Sequence, residues 1–198
     1  FVDLQRMAAI LLAEAVPKGG QVLVLGAGGG LELRAFAAAH PSWHFTGVDP
    51  SAAMLDIARQ TMDDLLLRAD LVLGTITDAP FGPFDGATCI LTMPFIGPED
   101  RLPTLRAIRQ RLKPGARLVM AHHCFPRGTA EDTLWMGRFA AFAALSGIAF
   151  DQARLTEMIT RLTILSPTSE EDLLREAGFD NVTLFYAALA FRGWVATA

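Results

Sequence analysis

At 198 residues, 52% of them hydrophobic, the chain is long enough to bury one core without disulfide or metal staples. A net charge of −4 disfavours a nucleic-acid substrate, and no apolar run reaches the roughly 18–20 residues that span a bilayer. Cys89 and Cys124 have neither pairing nor metal-ligand spacing and read as reduced thiols of a cytoplasmic protein, with no metal site expected.

Residues 1–16 place Leu4, Met7, Ala8, Leu11, Leu12 and Ala15 on one helical stripe, which Pro17 and Gly19-Gly20 end. Asp3, Arg6 and Glu14 make this stretch unlike a signal peptide; the chain opens on Phe1 rather than Met, which leaves room for a native segment ahead of it. Residues 21–25 (QVLVL) form a strand buried on both faces. Gly26, Gly28, Gly29 and Gly30 then make a tight turn into a helix over 31–40. Strand, glycine turn and helix together open a nucleotide-binding α/β unit, because the glycines admit a ligand close to the backbone and the helix presents unpaired N–H groups. NAD, FAD or S-adenosylmethionine (SAM) suits such a turn, and so does a turn with no ligand.

A second strand over 44–48 ends at Asp49, a carboxylate able to accept both hydroxyls of an adenosyl ribose. Ser51 caps the helix predicted over 51–68, whose stripe includes Met54, Leu55, Ala58, Met62 and Leu65. Strands follow over 70–74 and 86–91, with a Pro- and Gly-rich loop between them; the second leads into Thr92-Met93-Pro94. A helix over 99–112 stops at Lys113 to Gly115, and a fifth strand over 116–122 ends beside His122 and His123. Alternating strands and helices argue for a parallel sheet covered on both faces. Two further helices are expected over 129–147 and 150–165. A Thr168–Glu171 capping box opens a helix that stops at Gly178, and two closing strands stand too close to pair except antiparallel.

In order and spacing these motifs resemble the class I SAM-dependent methyltransferases from about Gln21 to the C-terminus. VLVLGAGGG is similar to that family's first motif, FTGVDPSAAMLDIAR to its second, FGPFDGATCILTM to the fourth-strand motif and LRAIRQRLKPGARLVMAHH to the helix-turn-strand element after it. The resemblance implies a doubly wound, Rossmann-like α/β fold with a seven-stranded mixed sheet and the last strand antiparallel. It implies one domain over 1–198, with an N-terminal helix in 1–20 and a helical lid insertion over 126–166 between strands five and six. SAM is the implied cofactor, held by Gly26, Ala27, Gly28, Gly30, Glu32, Asp49, Pro50, Met54, Thr75, Ile76, Thr92 and Met93. The chain departs from the family twice. Val24 stands where the first motif carries an acid that anchors the SAM amino group, with Glu32 as the candidate substitute. Gly74-Thr75 stands for Gly-Asp, which leaves Thr75, the Ile76 backbone or Asp78 to meet the adenine.

Methyl transfer needs alignment more than side-chain chemistry. His122 and His123, at the functional edge of the sheet, are the general-base candidates, with a packed sheet residue and a hydrogen-bonded loop residue as the alternative reading. Trp135, Met136, Phe139, Phe142 and Leu145 suggest a cover over an apolar substrate, and Arg138, Arg154 and Arg161 could meet an anion. The expected function is SAM-dependent methyl transfer to a small molecule, with a homodimer left open. The alternatives are a nicotinamide-dependent oxidoreductase, and a SAM-fold binding protein or an enzyme like carboxy-SAM synthase, a branch that the L-x(2)-AGF pattern and the tail LFYAALAFRGWVATA resemble modestly.

Overall fold

The computed structural model describes residues 2–145 and 147–198. The first half alternates as expected: α1 (Val2–Ala13), β1 (Gln21–Leu25), α2 (Leu31–Ala39), β2 (His44–Asp49), α3 (Ala52–Met62), β3 (Ala69–Leu73) and β4 (Phe84–Ile90). Then come α4 (Pro98–Gln110), β5 (Leu112–His123), α5 (Thr129–Ala144), α6 (Gln152–Arg161), α7 (Pro167–Glu176), β6 (Asp180–Ala188) and β7 (Phe191–Thr197). The strands form one seven-stranded sheet in the order β3-β2-β1-β4-β5-β7-β6. β1 to β5 run parallel, and β7 is antiparallel to both β5 and β6, as the short link after Ala188 requires.

The pleat of β1 divides the core. Val22 and Val24 face Leu4, Leu12 and Phe36 of α1 and α2, whereas Leu23 and Leu25 join Leu105 and Ile108 of α4 and Leu174 of α7 on the other side. Gly30 (φ +79°) lets α2 start hard against α3, since a Cβ there would stand 2.9 Å from the Ala58 Cα. Among the described residues, no helix is long and apolar enough to cross a membrane.

Three local expectations are corrected. The helix predicted through residue 68 stops at Met62, and a 3-10 segment, Asp63–Arg68, follows. The Arg34 guanidinium takes the Thr61 and Met62 carbonyls, and Arg68 takes those of Ala37, His40 and Trp43, so this segment is drawn onto the end of α2. The helix expected from a Thr168 capping box begins earlier: Ser166 accepts the Ser169 N–H, and Pro167 fills the first helical position. Glu171 instead pairs with Arg175 and accepts from the Trp194 indole. Finally, β5 takes in the expected Lys113 to Gly115 stop.

Beneath the sheet edge, Arg101 of α4 and Glu170 of α7 form an ion pair with no solvent exposure, and the His122 ring donates through Nε2 to Glu170 Oε1 at 2.9 Å. Burial pushes the Glu170 carboxyl up, but His122 and Arg101 outweigh that and hold it below the ordinary carboxylate value. Glu170→Ala leaves Arg101 buried without a counter-charge. It is expected to lower the unfolding free energy by about 3–5 kcal/mol in urea denaturation. Arg175→Ala, at the exposed face of α7, is expected to cost at most about 1 kcal/mol.

Candidate functional site

The carboxyl ends of β1, β2 and β4 open into one cavity of about 1040 Å³, at the upper end of the size range of small-molecule sites. Its floor is the glycine turn. The Gly26 and Ala27 N–H groups donate to the Val48 carbonyl at 2.8 and 3.0 Å, so the chain leaving β1 crosses over the end of β2. Gly26 (φ +76°) is glycine for a second reason: a Cβ there would run into the Thr92 side chain of the loop after β4. The Thr92 hydroxyl is held by the Ile90 and Leu25 carbonyls.

Asp49 closes β2 and fastens this floor. Its Oδ2 accepts the Gly28 N–H at 2.8 Å and its Oδ1 accepts the Ser51 N–H at 2.9 Å. Each oxygen keeps a further lone pair for a ligand hydroxyl. Met54, in the first turn of α3, lies against the same turn, and Ser51 accepts the Met54 N–H as the helix cap.

Gly26, Ala27, Gly28, Glu32, Asp49 and Pro50 all line the cavity, as do Met54, Thr75, Ile76 and Thr92. Gly30 and Met93 do not. Gly30 serves helix packing, and Met93 is wholly buried in the core beneath α4. Asp78 is spent on its own turn, where Oδ2 accepts the Thr75 N–H at 2.8 Å. Val24 is fully buried in the apolar core. Glu32, in the first turn of α2, is buried and accepts the Thr88 hydroxyl of β4; burial pushes its carboxyl up to about 7, with the Thr88 bond pulling the other way.

His122 and His123 stand outside the cavity lining. His122 is committed to Glu170, and His123 packs between Phe191 and Phe139, with ring centroids 4.0 and 4.9 Å away. Burial and the neighbouring His122 lower the His123 pKa to about 4. The insertion is likewise elsewhere: α5 and α6 close a separate apolar cluster around Phe125, Met136, Leu155, Ile164 and Ala190, and none of their described residues lines the cavity. The walls come instead from Leu4 and Gln5 of α1, Phe95 and Ile96 after β4, and Asp100 and Thr104 of α4. Sequence reasoning passed over α4; its small residues at Pro103, Thr104 and Ala107 were the available signal.

A parallel sheet with an inserted antiparallel seventh strand, a glycine turn after β1 and an acid at the end of β2 together define the class I methyltransferase fold. The comparisons agree. Residues 22–115 match the family model described as a methyltransferase domain. The chain is 28% identical to the carboxy-S-adenosyl-L-methionine synthase of Chromohalobacter salexigens, over 90% of this chain and 68% of that protein. It is 27% identical to the enzyme of the same name from Dichelobacter nodosus, over 99% of this chain and 83% of that one. Among solved structures, a putative O-methyltransferase from Nostoc punctiforme superposes with a TM-score of 0.75 at 19% identity, covering 100% of this chain and 56% of that one. Human N-acetylserotonin methyltransferase in complex with SAM gives 0.67 at 16% identity, covering 98% and 53%. The match to the Pseudomonas fluorescens carboxy-SAM synthase is shorter, 28% identical over 75% of this chain and 64% of that one. The chain has the class I methyltransferase fold, with a methyltransferase-domain match over residues 22–115, and one of the structures that share the fold holds SAM.

The donor set fits that cofactor. The charged residues lining the cavity, among those described, are Glu32, Asp49 and Asp100, all carboxylates, and SAM carries a sulfonium and an ammonium against its one carboxylate.

A histidine buried neutral must gain a proton as the fold is lost in acid. The depressed His123 pKa therefore contributes stability that is complete above about pH 6.5 and falls away as the pH drops toward 4. His123→Phe is expected to flatten that part of the pH profile of the unfolding free energy, measured by chemical denaturation between pH 7 and 4.

Proposed function

We propose that the chain transfers a methyl group from SAM to a small-molecule acceptor. The observation that carries this reading is the Asp49 carboxylate, tied to the Gly28 N–H on the floor of the cavity with acceptor capacity left over. Asp49 accepts the ribose hydroxyls; Met54 and Pro50 lie along the adenine, and Thr75 and the Ile76 backbone meet its edge. The Gly26, Ala27 and Gly28 backbone carries the methionine chain, and Thr92 lies at the methyl end. When bound, SAM supplies an electrophilic methyl group on a sulfonium that is its own leaving group. The residues of this chain align donor and acceptor and exclude water, which is most of what such a transfer needs. Phe95, Ile96 and Leu4 give the acceptor an apolar wall.

The relatives' name favours one second reading, a carboxylated SAM as ligand. The all-acidic lining opposes an added carboxylate. Of the arginines that could meet one, Arg138 lies over Trp135, Arg154 over Phe150, and Arg161 pairs with Glu157. The same acidity argues against a nucleic-acid acceptor. The buried, unpaired thiols of Cys89 and Cys124 support a cytoplasmic location. The methyltransferase-domain match over residues 22–115 favours SAM over the nicotinamide alternative.

Asp49→Ala is expected to weaken SAM binding by about 1–3 kcal/mol in calorimetry, with circular dichroism unchanged. An unaltered dissociation constant in both Asp49→Ala and Asp49→Asn would remove Asp49 from the site.

A further inference from the structure

Val24 ends the buried face of β1 where the resembling family carries an acid. Its register partner on β4 is Thr88, which is completely buried. The Thr88 hydroxyl donates across the helix-facing side of the sheet to Glu32, which lines the cavity from the first turn of α2. A carboxylate therefore reaches from the helix to the neighbourhood of Val24. A buried carboxylate with one hydrogen-bond donor is costly unless a cation joins it.

We propose that Glu32, aimed by Thr88, is the counter-ion of the α-ammonium group at the methionine end of SAM. Thr88 is a positioning residue, acting only through Glu32. The proposal rests on the SAM reading above and concerns one end of the ligand.

The pairing has a pH signature. With its carboxyl near 7, Glu32 is about one-tenth ionised at pH 6 and half ionised at pH 7. Only the ionised form pairs with an ammonium, so SAM affinity rises by about fivefold over that interval, below the range in which the ligand's own α-amino group loses its proton. Other titratable and charged groups surround Glu32. Across the cavity stand Asp49 and Asp100. Cys89 on β4 is a buried thiol pushed up to about 12. On α1, Leu4 and Gln5 face the cavity and Asp3 and Arg6 pair at the surface; just past it, Glu14 pairs with Arg117. Arg34 of α2 and Arg68, in the segment after α3, are bound to backbone carbonyls, and Arg59 of α3 pairs with Asp56.

The test is calorimetric titration with SAM and with 5′-methylthioadenosine, the nucleoside thioether that lacks the amino acid, at pH 6, 6.5 and 7. In the unaltered protein SAM is expected to tighten about fivefold from pH 6 to 7, while methylthioadenosine stays flat. Glu32→Gln keeps the shape and the acceptor for Thr88; it should weaken SAM more than fivefold at pH 7, abolish the slope and leave methylthioadenosine unchanged. Thr88→Val removes the bond that lowers the Glu32 pKa, so the SAM slope should move to higher pH, which a merely structural role would not do. SAM binding that is flat with pH, or a slope surviving in Glu32→Gln, overturns the proposal. Methylthioadenosine binding with SAM no tighter overturns it too, while sparing the nucleoside site. If neither ligand binds the unaltered protein, the SAM reading itself fails.

Discussion

The carboxylate of Asp49 accepts one N–H from the glycine turn and one from the start of α3, and three segments meet on it. With the Val48 carbonyl, which accepts the Gly26 and Ala27 N–H groups, that junction fixes the glycine turn, whose left-handed backbone at Gly26, Gly28 and Gly30 is otherwise as available to an unfolded chain as to this one. The junction sets the height of the cavity floor and the direction of α2, whose first turn carries Glu32. The fold positions the site through hydrogen bonds between backbone and one acid, and the ligand is then met by what those bonds leave free.

The rim after β4 is held differently. Arg101 is buried in α4, and its guanidinium donates to the Met93, Ile96 and Thr163 carbonyls as well as to Glu170. The Thr163 N–H donates in turn to the Pro94 carbonyl at 2.8 Å. The loop bearing Thr92, Phe95 and Ile96 is therefore clasped between α4 and the segment that leaves the helical insertion. A buried ion pair adds little net stability over an apolar pair. Its use here is to give three carbonyls that have left the sheet a donor each, so that the cavity wall keeps one shape. Alignment is what methyl transfer asks of a protein, and a wall fixed by a rigid guanidinium provides it.

Much of this was legible in the sequence because the signals are local. A buried run followed by clustered glycines, an acid at the end of the next strand and a two-residue link between the last two strands each have one inexpensive structural solution. What was hidden depends on partners distant in the chain. Thr88 and Glu32 are 56 positions apart. Met93 follows the fourth strand as a site residue would, yet its side chain turns into the core. His122 faces an acid on α7 that no spacing connects with it. The insertion's aromatic stripe was as consistent with a lid as with a small core of its own, and periodicity cannot say which surface a stripe covers. The cap at Ser166 was overlooked because Thr168 offered the same chemistry two residues later.

The central claim is that one cavity binds SAM with its ribose on Asp49 and its ammonium end toward Glu32. A crystal structure of the chain with S-adenosylhomocysteine, which keeps both groups, tests it most directly. The account predicts both ribose hydroxyls within about 3 Å of the Asp49 carboxylate and the amino nitrogen within hydrogen-bond reach of Glu32, the Thr88 bond intact. A nucleoside seated away from Asp49, or an amino acid end turned to solvent, would contradict it.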